Sequence, residues 1–123
     1  MIPTEELTQH WSSVLPAQWS VIRGPISSLE APAVVLRADE PWIIPSAFCH
    51  DQQNYAAVAV VSASTPQDGE AELYSLAHLI MDNLTDGWEF VSVSRPVVDQ
   101  STGTPYLAAI IRLRYLNNPP EAS

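Results

Sequence analysis

Residues 55 to 63 read Tyr-Ala-Ala-Val-Ala-Val-Val-Ser-Ala, the most apolar run in the chain, closed by Asn54 on one side and by the turn-forming segment around Thr65 and Pro66 on the other. A short run of small and β-branched residues between turn signals predicts a strand buried on both faces, the spine of a sheet. The rest of the chain has to supply neighbouring strands and a covering layer. At 123 residues it has room for one core. The expectation is one domain over 1–123, with 1–3 and 117–123 as flexible ends.

Two segments carry helical spacing. Over residues 4–15, Thr4 is placed to cap, Glu5 and Glu6 sit at the positive end of the dipole, and Leu7, Trp11, Val14 and Leu15 form a stripe that Pro16 ends. After Thr65, Pro66 suits a first helical position and Asp68 the first turn; Leu73, Leu76, Ala77, Ile80 and Leu84 recur at steps of three and four before Gly87. Strands are predicted over Trp19–Ile22 and Ala33–Arg37, the latter ending in a polar turn, Ala38-Asp39-Glu40-Pro41. Trp42-Ile43-Ile44 lies between two prolines and reads as an edge or a docked loop, and residues 45–54 read as a loop. Trp88–Val98 reads as a strand disrupted by Pro96, with Phe90, Ser92 and Ser94 on one side and Val91 and Val93 on the other. A turn over residues 99–104 then leads to a last strand, Tyr106–Leu116, whose Leu107, Ala109, Ile111, Leu113 and Tyr115 share one face opposite Arg112 and Arg114. The predicted class is α+β: a single mixed, mainly antiparallel β-sheet flanked by two helices.

Charge narrows the function. Fourteen acidic residues against five arginines and no lysine give a formal charge of −9. Such a field repels phosphate backbones and anionic lipid heads, which argues against sequence-specific nucleic-acid binding and against a membrane surface. It suits a conduit through which DNA slides without sticking. The longest apolar run falls far short of the roughly 20 residues that span a bilayer. The first residues show neither the basic nor the apolar region of a signal peptide.

Catalytic chemistry has little to stand on. Cys49-His50-Asp51 is the one local nucleophile and base grouping, but adjacent side chains diverge and do not converge on one atom. His10, His50, His78 and Cys49 lack metal-ligand spacing, and the acidic pairs Glu5/Glu6, Asp39/Glu40 and Glu70/Glu72 fall at helix starts or a turn, where acids serve capping and solubility. No phosphate or dinucleotide loop is present. The expectation is a protein that is no enzyme, with no catalytic residue, no metal and no cofactor. Of the four tryptophans, Trp11, Trp19 and Trp88 have apolar neighbours at core spacing, which leaves Trp42 as the interface candidate.

The arrangement resembles the tail-terminator, or minor tail, proteins of long-tailed bacteriophages, especially those of high-GC actinobacterial hosts. The features that carry it are Pro32-Ala33-Val34-Val35-Leu36 followed by Asp39-Glu40-Pro41-Trp42-Ile43, the loop with Phe48-Cys49, and the central apolar strand. The helix after Thr65-Pro66, the strand ending Val93-Ser94-Arg95-Pro96 and the closing run from Gly103 to Tyr115 complete it. The likeness covers residues 4–116 and is one of pattern and length. It implies a virion structural protein in the tail or neck, present in host cytoplasm during assembly. Such a protein forms a homo-oligomeric ring, typically a hexamer, that ends the tail tube and meets the head-closure connector. Tail tube protein and connector are then its partners. A ring of identical subunits uses a heterologous interface, and Arg95, Arg112 and Arg114 are candidates to meet acidic residues of a neighbour. The alternatives are another neck or head-closure component and a small acidic binding module of the immunity or antitoxin type.

Overall fold

The computed structural model describes residues 3–23, 32–45, 51–62, 66–99 and 106–117. Helix α1 (Pro3–Val14) precedes strands β1 (Ser20–Arg23), β2 (Ala33–Pro45) and β3 (Asp51–Ser62); helix α2 (Pro66–Asp82) precedes β4 (Trp88–Val93), β5 (Val97–Asp99) and β6 (Tyr106–Asn117). The sheet runs β1-β2-β3-β6-β4, with β5 pairing β6 alongside β4. Only β1 with β2 is parallel among these pairings; the others are antiparallel. The fold is therefore α+β, a mixed and mainly antiparallel sheet with two helices.

The apolar run is the spine that its composition predicts. Residues 55–61 lie in β3, between β2 and β6, and all but Val58 are buried. Strand alternation places Val34 and Leu36 of β2, Tyr55, Ala57, Ala59 and Val61 of β3, and Leu107, Ala109, Ile111 and Leu113 of β6 on one face. Both helices cover that face, α1 through Leu7 and Trp11 and α2 through Leu73, Leu76, Ala77 and Ile80, and these residues form one buried cluster. Small residues set the spacing. A Cβ on Gly69 would lie 3.1 Å from Leu107 Cδ2 and 3.2 Å from Val61 Cγ2, so the first turns of α2 rest directly on β3 and β6.

The opposite face divides in two. Ala33, Val35, Ala56, Val58, Val60, Ala108 and Ile110 form an apolar half, while Arg37, Asp39, Asn54, Arg112 and Arg114 form a charged half. No described helix covers it.

Several local expectations need correction. Ala38–Pro41 is no turn: β2 continues through it to Pro45, and a register shift between Ala38 and Ile43 absorbs the extra residues as a bulge. Residues 51–54, expected as loop, belong to β3, while 46–50 and the capping Thr65 lie outside the described residues. Thr4 sits inside the first turn of α1, buried, and accepts a hydrogen bond on its carbonyl from Thr8 Oγ1 at 2.9 Å. Val14 faces solvent instead of joining the stripe. Helix α2 stops at Asp82, five residues before Gly87. Trp88–Val98 divides at Ser94-Arg95-Pro96 into β4 and β5; across the gap Ser94 Oγ accepts the Ile110 N–H at 2.9 Å. A bulge between Phe90 and Ser92 also shifts the alternation, so Phe90 and Val93 share the helix-covered face.

Gly87 turns the chain into β4 with φ of 93°, and a Cβ there would lie 2.7 Å from Tyr115 Cε1. Tyr115 is held in place by Trp88, with ring centroids 5.1 Å apart. Gly87→Ala therefore combines a left-handed backbone with a steric clash and is expected to cost about 2 kcal/mol in urea unfolding.

Candidate functional site

Three surface features lie outside the core. The first is an arm. Beyond Leu36 strand β2 has lost its β1 neighbour, and from Glu40 to Pro45 every residue is exposed. Amide side chains fix the bulge that starts it: Asn54 Nδ2 donates to the Pro41 carbonyl at 2.9 Å, and Gln52 Nε2 donates to Asn54 Oδ1 at 3.0 Å. The arm displays Trp42, 52% exposed, followed by Ile43 and Ile44. Prolines 41 and 45 each lack a backbone donor, which limits the strand pairing this segment can offer.

The second is a groove. Helix α2 rests chiefly on β3 and β6, and the sheet continues past them to β4. A groove of about 270 Å³ opens between α2 and β4, with Tyr74, Ala77 and Met81 on the helix side and Phe90, Val93 and Pro96 on the strand side. Tyr74 is 68% exposed and packs against His78 with the rings tilted by 57° and their centroids 4.6 Å apart. Glu70 and Arg95 differ in their relation to it: Glu70 lines the helix side, and Arg95 stands exposed between the lining residues Ser94 and Pro96.

The third is the charged half of the face opposite the helices. Arg112 Nε lies 3.5 Å from Asp39 and Arg114 Nε lies 3.7 Å from Glu89. These pairs are partly exposed, so each contributes at most about 1 kcal/mol. Arg114 Nε is closed to solvent and has no hydrogen-bond partner among the described residues.

Of the residues singled out in the sequence, Trp42 is the exposed tryptophan, while Trp11, Trp19 and Trp88 are buried. Arg112 and Arg114 have acidic partners inside the subunit; Arg95 has no ion pair among the described residues. The structure does not bring these four residues together: Trp42 lies on β2, Arg95 beyond β4, and the other two on β6. Cys49 and His50 lie outside the described residues, and His10 and His78 stand on different helices. Among the described residues no three His, Cys, Asp or Glu side chains are placed to hold a metal ion, and no helix is long and apolar enough to cross a membrane.

Sequence reasoning passed over the groove. Its signal was the width of the α2 stripe: Tyr74 and Met81, seven residues apart, extend the apolar arc beyond the buried Leu73, Leu76, Ala77 and Ile80. A helix covering one sheet does not need that extra arc. Neither a family model nor a curated protein matches the sequence.

Proposed function

We propose that this chain is a phage virion structural subunit that ends the tail tube and joins it to the neck connector as a ring, acting through binding and geometry. The observation that carries the reading is the pair of exposed apolar surfaces, the Trp42 arm on β2 and the α2–β4 groove, separated by two strands of one sheet. A subunit that contacts two neighbours through different patches needs such a pair. The resemblance of the sequence to tail terminators supplies the biological setting. The charge of −9 suits a ring around passing DNA, because acidic walls do not trap a phosphate polymer.

The test is to mix the purified full chain with assembled tail tubes and inspect the product by electron microscopy. Rings capping tube ends are expected. Bare tube ends at saturating protein would overturn the reading and favour the acidic binding module.

A further inference from the structure

We infer that the arm of one copy docks in the groove of a second copy of this chain, with Trp42 seated between α2 and β4. This rests on the self-assembling subunit proposed above and names the contact that builds it. Within one chain the two surfaces cannot meet. In the hydrogen-bonded register Ile43 lies opposite Gln53, Gln53 opposite Tyr115, and Tyr115 opposite Trp88. Two strands thus separate the arm from β4, about 14 Å at ordinary strand spacing. The arm is held to β3 and the groove to β6, so any molecule that satisfies one from the other is a different copy.

Charge selects the pairing. Two copies at −9 repel at long range, so their contact has to be apolar or oppositely charged. The arm is apolar at Trp42-Ile43-Ile44, and at its shoulder Glu40 is exposed, lining a polar hollow with Asp39, Arg112 and Arg114 but forming no ion pair among the described residues. The groove is mainly apolar, with Glu70 on its helix side, and Arg95 stands beside its strand side, without an ion pair among the described residues. Docking sets Arg95 against Glu40 while Trp42 fills the space beside Tyr74 and Met81. A single aromatic anchor in a pocket of this kind dominates many protein contacts. Because arm and groove are different patches, the contact is heterologous, the type that builds a ring when its rotation closes.

The experiment measures the mass of the full chain by light scattering across concentration. Trp42→Ser removes the anchor, and the double change Tyr74→Ser, Met81→Ser opens the groove; all three positions are exposed, and circular dichroism checks that each variant is folded. Each variant is expected to weaken self-association about thirtyfold. Mixed together, the two restore one intact junction and give a one-to-one complex. Arg95→Glu weakens assembly, and adding Glu40→Arg to the same chain recovers it. Wild-type oligomers that persist in either variant overturn the docking and leave the ring reading standing. A mixture that gains no complex also overturns it, because arm and groove are then not halves of one contact. A wild-type chain that stays monomeric at every concentration overturns the docking as well, and the tube-capping result then decides the ring reading separately.

Discussion

Trp11→Ala is expected to lower the unfolding free energy by about 4 kcal/mol, the largest loss from any single change discussed for this protein. Trp11 is completely buried, on the face of α1 that meets the sheet. It is the largest of the fully buried side chains, so truncation removes most of the apolar contact that holds α1 to the sheet. Leu7 is the only other residue within α1 that is both apolar and buried. The attachment of α1 to β1 otherwise includes a half-exposed ion pair, Arg23 to Glu5 at 3.6 Å, which contributes little. Trp11→Phe separates two terms. Trp11 Nε1 is buried and has no hydrogen-bond partner among the described residues. Phenylalanine removes that orphaned donor, whose burial costs about 1–3 kcal/mol, while keeping most of the apolar volume. Its loss should therefore be less than half that of the alanine variant, a difference that urea titration resolves. Equal losses in the two variants would mean that the indole N–H is satisfied in solution.

The period of the hydrophobic pattern made the elements legible, because burial acts on it directly. The two helices, the β3 spine and the 107–115 face of β6 all follow from it. Register shifts were not legible. Ala38-Asp39-Glu40-Pro41 has the composition of a turn, yet hydrogen bonds from the neighbouring strand carry the chain through it as a bulge, and pairing partners distant in sequence leave no local mark. The same blindness reversed the side of Val93, since a bulge at Val91 moves every later residue to the other face. Of the exposed apolar surfaces, the one at Trp42 was visible because prolines flank an aromatic with no apolar periodicity around it. The groove was not, because it arises from an offset: α2 is centred over β3 and β6, and only the strand order reveals that β4 lies beyond them. The roles of the arginines diverged for a related reason, as Arg112 and Arg114 meet Asp39 and Glu89 only through cross-strand placement.

Ile111→Ala is expected to cost about 3 kcal/mol, and Ile110→Ala, one residue away on the same strand, about 1 kcal/mol. The two side chains lie on opposite faces of β6, and the same loss of strand propensity applies to both, so their difference isolates burial. Ile111 is 1% exposed within the cluster under the helices; Ile110 is only partly buried, on the face that no described helix covers. Urea unfolding at low protein concentration measures the contrast for the isolated subunit. Repeating it at high concentration adds a second reading, because association stabilises the folded state by mass action. If copies join through the arm and groove, both variants gain stability with concentration by the same amount, since neither residue lies in the contact. If Ile110→Ala alone loses that gain, the face of the sheet opposite the two helices is part of the contact between copies. If Ile110→Ala costs as much as Ile111→Ala even at low concentration, that face is sealed within the monomer and is not available to any partner.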